Sequence, residues 1–378
     1  MTIAVSAATA THSFEETTKL LTITSELSIS PRHLQTLCQE VGGELVAAQH
    51  QRTTAHQERP LMTPAKAASP PVPLATVMVD GGRMQTRKPD HGPGVHEPAW
   101  RENKTAILLR MSHTPSEVDP QPELPDCFAH PLGTPRQAPP PNERSAAEES
   151  VERPQSLVRT GLATLNDSET FGWMTAAAAD ERGFFTAGAR AFVSDGLPYN
   201  WSIHRCHFAT FEPILDFVHA AEHVHDVAKA IGEGAALGGH WAELCWQGRV
   251  PEVISDIEQR QSHLTAPAQP EQEPEHPWCI LRRERGYLKN NQKRMDYPRY
   301  RREGLPITSS LVESWVKQLN QRVKGSEKFW NDNENAETML HLRVAWLSDN
   351  DDLATHFENR PGHSHARPRR SEQALLAA

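Results

Sequence analysis

Two short apolar runs, each ending in a carboxylate, place the tightest limits on how this chain folds. They are Ala191-Phe-Val-Ser-Asp195-Gly196 and Pro213-Ile-Leu-Asp216-Phe-Val-His219. A short run with β-branched and aromatic members, closed by Asp-Gly, reads as a buried strand whose last residue emerges at the sheet edge. Open α/β sheets bind ligands at such carboxyl ends, so an acid there is placed for chemistry. A third acid sits in the same setting, Asp80 in Ala75-Thr-Val-Met-Val-Asp80-Gly81. A fourth, Glu313, closes Gly304-Leu-Pro-Ile-Thr-Ser-Ser-Leu-Val-Glu313 at the start of a basic helical stretch. The expectation is that Asp80, Asp195 and Glu313 converge on one metal site. Each alone is more often an ordinary turn or surface residue.

The rest of the chain alternates. Residues 13–57 carry helical spacing, with Ser30 as a cap and Pro31 at a first helical position. Two helices with a tight joint suit a helix-turn-helix DNA-binding segment over residues 1–57, and equally a plain helical hairpin. Residues 58–73 read as a linker. Strands are expected at Leu74–Val79, with Gly81-Gly82 turning the chain beyond Asp80, and at Lys104–Met111. Residues 112–157 are a Pro-rich surface insertion. Helices return from Leu157. Strands follow at Ala191–Asp195, Tyr199–Ile203 and Pro213–Val218. Residues 74–218 thus form the first part of a core, 219–279 a helical insertion, 280–348 the second part, and 349–378 a disordered tail. Strands interleaved with helices predict a mixed sheet with helices on its faces.

Composition narrows the function. The net charge is −9, yet the stretch from Arg282 to Lys324 holds twelve Lys/Arg against four Asp/Glu. That local excess suits either a phosphate footprint or a solvated helix face. Cysteines at 38, 127, 206, 245 and 279 are odd in number and never spaced Cys-x-x-Cys. This argues against a disulfide framework and a cysteine zinc site, and for a reducing cytoplasmic compartment. The N-terminus lacks the basic and apolar regions of a signal peptide, and no apolar run is long enough to span a membrane. There is no Walker-type loop, Gly-x-Ser-x-Gly or His-Glu-x-x-His. Three convergent carboxylates make an oxygen cage for Mg²⁺, with Mn²⁺ as a substitute, and two such ions can clamp an in-line phosphoryl displacement.

Several of these blocks resemble one family. Val77-Met-Val-Asp80-Gly, Phe192-Val-Ser-Asp195-Gly, Ile214-Leu-Asp216-Phe-Val-His219-Ala-Ala-Glu-His223, Gly304 through Glu313-Ser, and Arg322-Val-Lys324-Gly325 leading to Trp330 are similar to ISKra-type bacterial insertion-sequence transposases. The resemblance implies a DDE transposase with a ribonuclease-H-like core and a helical insertion before the last acid. It implies Asp80, Asp195 and Glu313 as catalytic, metal-binding acids, with Asp216 and His219 either buttressing the site or capping a helix. It also implies double-stranded DNA, at transposon ends and target, as the partner of a homo-oligomer in the bacterial nucleoid. Under it, Arg301, Arg302, Lys317, Arg322 and Lys324 would neutralise phosphates. Trp315 and Trp330 read as core rather than as stacking platforms. A nuclease that cuts without joining, and an inactive DNA-binding remnant, are the alternatives.

Overall fold

A computed structural model describes residues 1–60, 63–87, 99–130, 153–325 and 328–360. Its centre is a five-stranded mixed sheet with helices on both faces. The strands are β1 (Leu74–Thr86), β2 (Ala99–Met111), β3 (Ser156–Thr164), β4 (Ala189–Ser194) and β5 (Glu212–Leu215), in spatial order β3-β2-β1-β4-β5. β1 runs antiparallel to β2, and β2 to β3, while β4 and β5 lie parallel to β1. Residues 74–79 of β1 are buried without alternation, as expected of a central strand covered on both faces.

The helices before the sheet are α1 (Thr2–Ala10), α2 (Phe14–Ser25) and α3 (Pro31–Gln57). Ser13 and Ser30 cap α2 and α3 by accepting from the amides of Glu16 and His33. Between β3 and β5 come α4 (Ser168–Glu181) and α5 (Pro198–His207). After β5 follow α6 (Phe217–Ala230), α7 (Gly234–Trp246), α8 (Val250–Ser262), α9 (Pro277–Asn291), α10 (Tyr297–Arg302), α11 (Ser310–Val323), α12 (Asn333–Leu347) and α13 (Asp352–Asn359). The N-terminal helices share a core with the last ones: Val5, Leu21, Leu34 and Val41 pack with Leu319, Val323, Met339 and Leu340. They are therefore built into the body of the protein.

Several expectations need correction. Tyr199–Ile203 is not a strand but lies in α5, where Pro198 opens the helix and Trp201 and Ile203 are buried. Leu157 begins no helix; it belongs to β3, an edge strand whose Leu157 and Val158 remain exposed. β1 passes straight through Gly81 and Gly82 to Thr86, held by unbroken pairing with β2. β5 stops at Leu215, because Asp216 caps the next helix by accepting from the Val218 amide. The expected tail contains α13, and residues 361–378 lie outside the described residues, as do 131–152 of the Pro-rich segment. Trp315 is fully buried, in agreement with its reading as core.

Trp315 of α11 lies across β3 at Gly161, where an added Cβ would sit 2.4 Å from the indole Cζ2. The absence of a side chain there lets the helix approach the sheet. Gly161→Ala should cost about 1–3 kcal/mol by overpacking, read as a lower urea midpoint at unchanged slope. A neutral result would mean that α11 is not held against β3.

Candidate metal centre

The site starts from strand register. Val79 of β1 pairs with Ser194 of β4, so Asp80, inside β1, and Asp195, just past the end of the parallel β4, stand side by side. Side chains alternate along a strand, so Asp80 shares a face with Met78. Met78 lies in a cavity with Leu311 of α11 and Val218 of α6, which fixes that face as the one α11 covers. Glu313 lies in the first turn of α11. The Asp216 amide donates to the Ser194 carbonyl at 2.9 Å, bringing the start of α6 to the same edge.

Asp216 is the most buried of these acids, with no exposed surface. Its Oδ1 accepts from the Val218 amide at 2.9 Å, and its Oδ2 accepts from Ser309 Oγ at 2.5 Å, just ahead of α11. Asp216, His219 and Glu313 each offer an atom within 4.8 Å of the others; among the described residues this is the one such group of potential metal ligands. Asp80 and Asp195 lie outside that tight trio but within electrostatic reach of it. The structure thus brings Asp80, Asp195, Asp216, His219 and Glu313 to one edge, with Asp216 and His219 nearer Glu313 than the expected triad implies.

Asp195 is fixed by its own turn. Its Oδ1 accepts from Ser194 Oγ at 3.1 Å, the Leu197 amide at 3.1 Å and Asn200 Nδ2 at 3.0 Å. Its carbonyl accepts from the Tyr287 hydroxyl of α9 at 2.7 Å. Gly196 has φ +94°, and a Cβ there would lie 2.8 Å from Tyr287 Cε2, so glycine is required on both counts. His223 of α6 stacks on Tyr287 at 3.6 Å and bonds to Glu284, which steadies the ring that holds the turn. His225 instead pairs with the Phe128 carbonyl at 3.3 Å, so His219, His223 and His225 have separate partners.

Electrostatics mark the cluster as short of positive charge. Burial above all, then the Asp195 and Glu313 charges, push Asp80 up to about 6, against the bond from the Gly81 amide. Burial likewise pushes Asp216 up to about 6, despite His219, Ser309 and the Val218 amide. For His219 burial works against the charge, but Glu222, bonded to Nδ1 at 3.0 Å, with Asp216 and Asp195, outweighs it and raises the ring to about 9. A half-buried imidazolium is thus a counter-charge that leaves several carboxylates uncompensated. Hard oxygen donors with excess negative charge suit Mg²⁺ or Mn²⁺, with the protonated ring supporting rather than ligating.

The cationic residues divide. Arg302, Lys317 and Lys324 are exposed. Lys317 lies one turn beyond Glu313 on α11, and Lys324 Nζ sits 5.8 Å from the ring of Trp100, itself 47 % exposed. Arg301 and Arg322 do not fit a phosphate role. Arg301 is buried, paired through Nε with Asp119 at 2.8 Å and stacked on Trp246 at 4.2 Å. Arg322 is buried and donates to the Ala8 and His12 carbonyls at 2.9 and 3.3 Å, closing the end of α1. Ser309, Asn200, Glu222 and Tyr287 were not anticipated from sequence. Of these only Ser309, four residues before Glu313, and Glu222, three after His219, stand at a spacing that hints at a role.

The raised groups set a pH dependence. Folding of the metal-free protein favours protonated Asp80 and Asp216, a contribution fully present below the ordinary 3.8 and lost as pH rises through about 6. The His219 contribution holds below 6.5 and is lost as pH rises through about 9. Metal-free melting temperature should therefore fall between about pH 5 and pH 8, and Mn²⁺ should raise it little at pH 5 and most near pH 8. Scanning calorimetry in EDTA and in Mn²⁺ checks this; an increment independent of pH would contradict it.

No helix among the described residues is long and apolar enough to cross a membrane. In comparisons with known proteins, no family model matches the chain, and no curated protein matches it.

Proposed function

We propose that this chain is a metal-dependent DDE transposase with a ribonuclease-H-like core, which cleaves DNA at the ends of its own element and joins the freed 3′-OH to target DNA. The observation that carries this reading is that Asp80 of β1 stands beside Asp195 at the end of the parallel β4, with Glu313 of α11 within electrostatic reach of Asp80 and close to Asp216. The strand order β3-β2-β1-β4-β5 with an antiparallel β2 supports it, as that arrangement suits a ribonuclease-H-like sheet. The motif resemblance supports it further.

In this reading Asp80, Asp195 and Glu313 hold the metal, and Asp216 joins them or positions Glu313 through Ser309. Bound Mg²⁺ would supply Lewis-acid activation of the attacking oxygen and stabilise charge on the leaving one. Asn200 and the Leu197 amide orient Asp195 by bonding one carboxylate oxygen. Tyr287 fixes the turn beneath it. His219 balances negative charge before metal arrives. The exposed Lys317, Lys324 and Arg302 meet DNA phosphates.

The decisive assay uses duplexes from the DNA flanking the reading frame, with Mn²⁺ or Mg²⁺. The wild type should cleave and join them. Asp195→Asn should lower cleavage by more than about 100-fold, the upper end of what losing a ligand's supporting partner costs, while binding DNA as before. Cleavage without joined product would identify a nuclease, and binding without cleavage a remnant; either overturns the transposase reading.

The cations give an independent test. Lys317→Ala and Lys324→Ala should each reduce the salt slope of DNA binding by roughly one. Arg301→Met should leave the slope unchanged and destabilise the fold by about 3 kcal/mol, because Asp119 loses its partner. An altered slope for Arg301→Met would restore that residue to the DNA surface.

A further inference from the structure

A cavity of about 600 Å³ opens between the sheet and α3, α4, α12 and α13, lined along β3 from Val158 to Ala163. Leu108 and Arg110 in its floor pair with Val77 and Ala75, positions of β1 that alternate with Met78 and Asp80, which sets it on the face of the sheet opposite the acid cluster. Its volume is that of a small-molecule site. Val72, Leu108, Leu162, Phe184 and Val344 give it apolar walls.

The polar group that stands out is Arg182, just past the end of α4. Its Nε donates to Thr160 Oγ1 at 2.6 Å and its Nη1 to the Ala178 carbonyl at 2.8 Å. These bonds clamp two edges of the guanidinium to the cavity wall. Among the described residues Nη2 makes no hydrogen bond and no ion pair. Glu181 and Asp352 line the same cavity and their charges favour the cation without bonding to it, but burial outweighs them and lowers its affinity for its proton. The other cations around the cavity are engaged: Arg110 donates to the Pro71 carbonyl, Arg360 is held by Glu40 and Glu44, and His356 by Glu44. Arg52 bonds to Gln49 and stands 3.9 Å from Glu181. A pre-oriented guanidinium with an open edge, set in apolar walls, matches an anion carried on a hydrocarbon or aromatic body.

We infer that this cavity is a second binding site, separate from the acid cluster, for a small organic anion whose carboxylate or phosphate sits on Arg182 and whose apolar body fills the space beside Leu108 and Leu162. It does not depend on the transposase reading.

Titration calorimetry in EDTA tests the site, with 1-naphthyl phosphate and 1-naphthoate as probes and inorganic phosphate for comparison. At least one naphthyl probe should bind saturably and at least about tenfold tighter than inorganic phosphate, because the ring leaves water. The tighter of the two identifies the head group. Arg182→Met should weaken binding about tenfold or more. Ala48→Trp, which fills the cavity from half-buried α3, should abolish it. If Arg182→Met does not fold, Ala48→Trp alone decides. No saturable heat from either probe at millimolar concentration, or unchanged affinity in Ala48→Trp, would overturn the inference.

Discussion

The parallel pairing of β1 with β4 is the constraint on which the rest depends. In-register pairing of Val79 with Ser194 sets Asp80 beside Asp195 on the face that α11 covers. A slip of one residue would turn one of the two acids to the opposite face. β5 follows from the same register, since the Ser194 carbonyl receives the Asp216 amide. Asp216 then receives Ser309 Oγ, which ties the start of α11 to the end of β5 and brings Glu313 to the edge. One strand pairing therefore transmits position to acids from four segments far apart in sequence.

That arrangement works against stability. Carboxylates crowded at a half-buried edge repel each other and lose hydration, which is why Asp80 and Asp216 hold their protons to about 6. The surrounding structure restrains them all the same. The Asp195 turn is held from within by Ser194, Leu197 and Asn200, and from α9 by Tyr287, which is packed by His223. Such restraint of repelling groups is expected where a cation supplies the missing charge, and a fold without that need would gain by replacing them.

The strands that carry the acids were legible because a central strand in a sheet covered on both faces is a continuous apolar run, and a closing Asp is visible against it. β3 was not legible, because it lies at the edge: Leu157 and Val158 stay exposed, and Gly161 is present for Trp315 rather than for strand propensity. Tyr199–Ile203 resembled a strand because Tyr, Trp and Ile favour one, yet Pro198 and the anchored Asp195 turn start a helix. The site was legible in its acids and not in their supports, since Tyr287 and Asn200 reach Asp195 only through the fold. Local charge misled most. Arg283, Arg285, Arg299 and Arg301 pair with Glu284, Glu258, Glu212 and Asp119, and Arg322 closes α1, so much of the basic run is spent internally. A guanidinium on a long apolar stem can bury as readily as it can face a phosphate, and composition does not distinguish the two.

The most direct test of the central claim is an anomalous-difference map from crystals grown with Mn²⁺ near pH 8. The account predicts manganese at the β1–β4 edge, with oxygens of Asp80 and Asp195 about 2 Å away and a ligand from Glu313 or Asp216 completing the protein's share. Manganese found elsewhere, or an edge that stays empty while the same acids keep their places, would contradict it.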